Sequence, residues 1–133
     1  MVNVENVTRV ADAIEAGELV KRGIGFNMAY YADRVNETLT DHIDACDTVT
    51  CIAGWAYGVA RPKATTRTLL RSERIEEVAY KFLGLNIHEA WTLFVPHPWD
   101  KEKMHAITPA QAVRVLRHLA KTGKVDWRKA GKP

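Results

Sequence analysis

Apolar residues recur at helical spacing along most of the chain. Val4, Val7, Val10, Ala11 and Ile14 fall on one face of a helix, the rhythm of an amphipathic element. Asn3 is placed to cap it and Gly17 to stop it, which predicts a helix over Val4–Ala16. Residues 18–47 carry no such rhythm. Gly23 and Gly25 interrupt, and Phe26, Met28, Tyr30 and Tyr31 give way to polar residues up to Asp47. A long connection with one or two short helices is expected there.

The next helix is predicted over Thr48–Ala60. It carries no charge, and Cys51, Ile52, Trp55, Ala56 and Val59 cover more than one face, so it should lie buried at the centre of the fold. Gly54 and Gly58 stand four apart in it. Each costs a helix about 1 kcal/mol relative to Ala, which implies close approach of another backbone. Arg61-Pro62 ends the helix, and residues 61–71 read as a basic loop. Ser72 is the predicted cap of a third helix, in which Ile75, Val78, Ala79, Phe82 and Leu83 form the apolar face before Gly84.

Asn86 with Glu89 resembles a capping box opening a fourth helix, with Ala90, Trp91 and Phe94 on its apolar side. Pro96 and Pro98 end it and open a loop through Ala106. The last helix has the strongest start signal, with Thr108 as cap, Pro109 at the first position and Gln111 at the third. Val113, Leu116, Leu119 and Ala120 point inward, and Gly123 closes it. Val125 and Trp127 then offer anchors that pin the chain back to the body, and residues 128–133 read as a loose basic tail.

No run of alternating β-branched residues predicts a strand. The expectation is an all-α, compact single domain over residues 1–127, a bundle of about five helices around the buried segment 48–60. The length of 133 residues suits one domain. A composition 47% hydrophobic and 26% charged excludes a disordered chain or a disulfide-dense miniprotein. The longest charge-free apolar run, Cys51–Ala60, is half of what a membrane span needs. No signal peptide is evident at the start, so a cytoplasmic location is expected.

Charge changes this picture more than composition does. Residues 1–60 hold four basic and nine acidic residues, net −5, whereas residues 61–133 hold fifteen basic and seven acidic, net +8. Either the two halves face each other, or the basic half meets nucleic acid or an acidic partner. Candidate phosphate-binding residues are Arg61, Lys63, Arg67 and Arg71 in the loop, and Arg114, Arg117, Lys121, Lys124 and Arg128 on the last helix and tail. The fourth helix, which would be the reading helix of a helix-turn-helix, carries no Arg or Lys.

The enzymatic motifs are incomplete. His42, Cys46 and Cys51 have the donor types of a metal site, but a fourth ligand would have to come from His88, His97 or His105, and a Cys-x2-Cys pair is absent. Cys46 beside His42 is the better nucleophile pair, because Cys51 lies in apolar surroundings that raise its pKa. Asp41, Asp44 and Asp47 lack the Gly and distal Glu of a calcium loop. His88-Glu89 fails as a zinc-protease motif because Thr92 stands where the second His belongs. Gly23-Ile24-Gly25 lacks the third Gly of a dinucleotide fingerprint. No cofactor is implied.

Cys51-Ile52-Ala53-Gly54-Trp55-Ala56, Leu83-Gly84-Leu85, Ile107-Thr108-Pro109 and Thr122-Gly123-Lys124-Val125-Asp126-Trp127 together resemble a group of small uncharacterised proteins of actinobacteria, other bacteria and their phages. The resemblance spans about residues 26–127. It rests on core and cap residues, so it implies a shared fold and supplies no catalytic residues. It also implies a phage or accessory-gene protein that binds a host component. The leading expectation is thus a non-enzymatic protein that binds another macromolecule, foremost a protein, with Tyr30, Tyr31, Trp99 and Trp127 as candidate anchors. Electrostatic nucleic-acid binding through residues 61–71 and 114–132 is the first alternative, and a small metal- or thiol-dependent enzyme the second.

Overall fold

The computed structural model describes residues 2–22, 24–26, 28, 33–34, 48–63, 75–97 and 99–132. Over these the chain is mostly helical, with six helices: α1 (Val4–Ala16), α2 (Ile52–Ala60), α3 (Ile75–Leu83), α4 (Ile87–Phe94), α5 (Lys101–Ala106) and α6 (Pro109–Thr122). Among the described residues no helix is long and apolar enough to cross a membrane.

The helix ends follow local chemistry. The Asn3 side chain accepts from the Asn6 amide at 3.0 Å, and Gly17 closes α1 at φ 63°. At the end of α3 the amide of Gly84 (φ 72°) donates to Lys81 O and that of Leu85 to Tyr80 O. These two bonds satisfy carbonyls that the last helical turn leaves open, and Leu85 is buried behind them. The start of α1 is then tied to this corner, since Asn3 N donates to Leu83 O and Asn6 Nδ2 to Phe82 O.

Two features depart from the expected layout. Residues 48–50 are a strand, so α2 begins only at Ile52, with Cys51 in extended backbone as its N-cap. This strand, β3 (Thr48–Thr50), is the middle of a small sheet in the order β1-β3-β2. β1 (Ile24–Phe26) runs parallel to it, pairing Gly25 with Val49, and β2 (Asp33–Arg34) runs antiparallel. Within the expected long connection, residues Glu18–Arg22 form a 3-10 turn. The second departure is α5. A loop was expected there, but the Asp100 carboxylate accepts from the Lys103 amide at 3.1 Å and caps a short helix.

The core is one continuous cluster to which every helix contributes. In α2 every residue from Ile52 to Gly58 is buried. α2 packs chiefly on α3, while α1 packs most extensively on α6, where Val7, Val10, Ala11 and Ile14 meet the side carrying Ala112, Val115, Leu116 and Leu119. The body is therefore built on two helix pairings rather than on a single hub. Trp55, 1% exposed, joins α2 to the sheet, because its indole N–H donates to Gly25 O at 3.1 Å.

The close neighbour of Gly58 is a side chain rather than the expected backbone. A Cβ there would lie 2.5 Å from Leu19 Cδ1, and Leu19 is itself buried. Gly58→Ala should therefore destabilise the fold by about 1–3 kcal/mol through overpacking. In a Leu19→Ala background the same change should become neutral or stabilising, because Ala is the better helix former. Urea denaturation of the four proteins of this cycle checks it, and an equal cost of Gly58→Ala in both backgrounds would show that the clash is not the cause.

Candidate functional site

The most built feature of the surface lies where the chain after α6 folds back. Gly123, at φ 75°, turns the backbone out of the helix. The amide of Ala130 donates to Asp126 O, that of Gly131 to Trp127 O, and that of Lys129 to the Asp126 carboxylate, so residues 126–131 wind into successive turns. Three side-chain contacts fasten this strap. Trp127 Nε1 donates to Thr92 O at 3.1 Å, supplying a partner to a carbonyl in the last turn of α4. Gln111 Nε2 donates to Gly131 O at 2.9 Å. The Arg114 guanidinium donates to Ala130 O at 3.3 Å and to Lys132 O. The expected loose tail is thus, through residue 132, a docked strap. Gly131 suits the close fit, because a Cβ there would come 2.7 Å from Trp127 O.

The strap forms one wall of a groove of about 630 Å³ against α5 and the start of α6. Ala106, Ile107 and Ala110 supply aliphatic surface, Trp127 an indole, and Lys103, Arg114 and Arg128 positive charge. None of the described residues lining it is acidic. A second hollow of about 550 Å³ lies between the strap and α4, bordered by Trp91, Val95 and Pro96. His97, Trp127 and Arg128 border both. Beyond Trp91, Ile87 lines a smaller hollow of about 260 Å³ between α3 and α4.

The candidate anchors separate on this surface. Trp99 is 97% exposed in the turn before α5, and Trp127 is half-buried as the wall between the two hollows. Tyr30 and Tyr31 lie outside the described residues. Trp91, assigned from its spacing to the apolar side of α4, is instead 52% exposed, and Ile87 one turn earlier is 72% exposed. Ala90, Leu93 and Phe94 make the buried side. Exposure of Trp91 was missed because a helix this short can turn only a narrow face to the core.

The candidate phosphate-binding residues do not form one stripe among the described residues. Arg61 and Lys63 are exposed at the end of α2, where Arg61 borders a hollow against α3 with Glu77 and Lys81. Arg117 bonds Asp12 at 2.9 Å and also Glu15, which ties α6 to α1 and holds its pKa above the ordinary value. Arg114 is held by carbonyl oxygens of the strap. Lys121, Lys124 and Arg128 are exposed. Arg67 and Arg71 lie outside the described residues.

Of the candidate metal and thiol residues, His42 and Cys46 lie outside the described residues, as do Asp41, Asp44 and Asp47. Among the described residues no group of three or more His, Cys, Asp or Glu could hold a metal ion. Cys51 is a buried free thiol. Desolvation pushes its pKa up from 9.0 to about 11, although the amides of Gly54 and Ala53 at the helix start pull the other way. No family model matches the chain, and no curated protein or solved structure matches it either.

Because the folded-state pKa of Cys51 is raised, the stability that its neutral thiol contributes should be fully present below pH 9.0 and lost as pH rises from there through about 11, as urea denaturation across that range would show. In a Cys46→Ser background, a thiol reagent should label Cys51 about a hundredfold faster in urea than in the folded protein, and rapid labelling of the folded protein would contradict its burial. Gln111→Ala should cost about 1–3 kcal/mol, because it removes two side-chain hydrogen bonds, to the Thr108 amide and to Gly131 O, and should speed carboxypeptidase trimming of the strap. A variant of unchanged stability with an equally protected C-terminus would refute the tie.

Proposed function

We propose that this is a non-enzymatic protein that binds a protein partner through the face formed by α4 and the C-terminal strap. The observation that carries this reading is the run of exposed aromatic and aliphatic surface from Ile87 and Trp91 past Trp127, with Trp99 projecting nearby in sequence. Ile87 and Trp91 stand four residues apart and so share one side of their helix. Tryptophan is enriched among the residues that dominate binding energy at protein interfaces, and basic side chains such as Arg128 suit the rim of such a patch. The burial and raised pKa of Cys51 weigh against thiol chemistry there. The resemblance carried by Cys51–Ala56 and the later motifs supports a phage or accessory-gene protein whose partner is a host component.

A second reading, single-stranded nucleic acid, draws on the placement of Arg128 and Lys103 beside the Trp127 ring, since indoles stack bases and cations track phosphates. It is the weaker one because Arg117 is already bonded to two carboxylates and the groove offers one half-buried indole rather than a series of stacking rings.

Affinity capture from source cells, with and without nuclease, checks the proposal. The wild type should retain a specific protein after nuclease treatment, and Ile87→Ser/Trp91→Ser should lose it while keeping wild-type stability, because both side chains are mostly exposed. Equal capture by the double variant, or loss of the protein on nuclease treatment, would reject the proposal.

A further inference from the structure

We propose that the groove between α5, the start of α6 and the strap takes an acidic peptide segment carrying an apolar side chain. This rests on the protein-binding reading of the adjoining face, across Trp127, and names the chemistry of the partner. The case begins with two arginines on one helix. Arg117 faces α1 and bonds Asp12 and Glu15, so its charge is met by carboxylates. Arg114 lines the groove, and its described partners are the neutral carbonyl oxygens of Ala130 and Lys132. Those bonds fix the guanidinium in place without cancelling its charge. Lys103 and Arg128 bring two further cations to the same groove, and no described lining residue is acidic. A pocket with one sign of charge and a low-dielectric wall attracts the opposite sign.

The apolar lining selects among anions. Ala106, Ile107 and Ala110 are aliphatic, and the indole N–H of Trp127 already donates to Thr92 O. An aliphatic surface beside one pinned indole suits a Leu or Phe side chain better than a succession of stacked bases. At about 630 Å³ the groove is in the range of ordinary binding pockets and holds a few side chains. Carboxylates placed on either side of that side chain would reach Lys103 and Arg128, and Arg114, held in place by the strap, adds its charge to the attraction.

The test is fluorescence anisotropy with a labelled peptide of alternating Glu and Leu residues. A Gln/Leu peptide of the same length and a labelled oligo-dT serve as comparisons. The Glu/Leu peptide should bind at about 50 mM salt and weaken toward 200 mM, as exposed charges are screened. The Gln/Leu peptide should bind at least about tenfold more weakly. Lys103→Gln/Arg128→Gln should lose about tenfold and Lys103→Glu/Arg128→Glu more. Lys63→Glu, at the end of α2, should bind as the wild type does. Arg128 and Lys103 are exposed, so these variants keep the fold. Absence of Glu/Leu binding, equal binding of the Gln/Leu peptide, or indifference to both double variants overturns the proposal, and tighter oligo-dT binding that displaces the peptide assigns the groove to nucleic acid instead. If the acidic peptide fails while partner capture still depends on Ile87 and Trp91, only this inference falls. Loss of both removes the protein-binding reading as well.

Discussion

The side-chain amide of Gln111 holds the candidate site together. Its oxygen accepts from the Thr108 amide at 2.7 Å, and its own backbone N–H donates to Thr108 Oγ1 at 3.2 Å, which closes the start of α6. Its nitrogen donates to Gly131 O. At 8% exposure it is the one buried polar side chain among the described residues. An amide buried this deeply is stable only when both its ends are paired. Capping the helix and docking the strap therefore become one event. The groove exists because the strap is docked, and so its shape depends on this residue together with Arg114 and Trp127, which fasten the same segment.

A comparable coupling operates at α2. A helix without charge and buried from Ile52 to Gly58 needs neighbours on nearly every side. α3 covers one side and α1 another, while Leu19, in the 3-10 turn after α1, packs against Gly58. The Trp55 indole carries a polar N–H into this setting and finds Gly25 O in the sheet. The small sheet thus has a structural purpose that its size conceals, namely to present a backbone acceptor to a buried indole. Its strands, of two or three residues, are shorter than those of ordinary sheets. The Trp55 bond is what ties it to α2.

The parts of the fold that were legible in the sequence were those whose chemistry is local. The boxes Asn86–Glu89 and Thr108–Gln111 each join residues three apart, and both stand as read. The α1 span from Asn3 to Gly17 is legible for the same reason. The sheet was not legible, because three-residue strands give too little alternation to register and Gly25 pairs with a residue as distant as Val49. The strap was missed for a related reason. Lys, Arg, Ala and Gly after Trp127 read as a basic end, and only the fold shows Gln111 and Arg114 waiting for their carbonyls. Of the site itself, Trp99, Trp127, Arg114 and Arg128 were visible as residue types. Ile87, Trp91 and Lys103 join them only once helix orientation is known.

The division of charge along the chain acquires a meaning at this point. An acidic first half and a basic second half admit either mutual neutralisation or attraction of an outside partner. Neutralisation occurs where α6 meets α1, and beside it on the same helix lies positive charge that suits the proposed partner. Toward α1, Arg117 joins Asp12 and Glu15, and the excess of each half is reduced where the two meet. These pairs are solvent-exposed, so their contribution to stability is small, and their effect is mainly on where positive charge remains. Toward the strap, Arg114 receives carbonyls instead of carboxylates, and Lys103 and Arg128 stand beside it. Carbonyl oxygens orient a guanidinium as well as carboxylates do, but leave its field outside intact. One helix can in this way meet the acidic half of the chain with one arginine and, through another three residues earlier, offer charge to a partner.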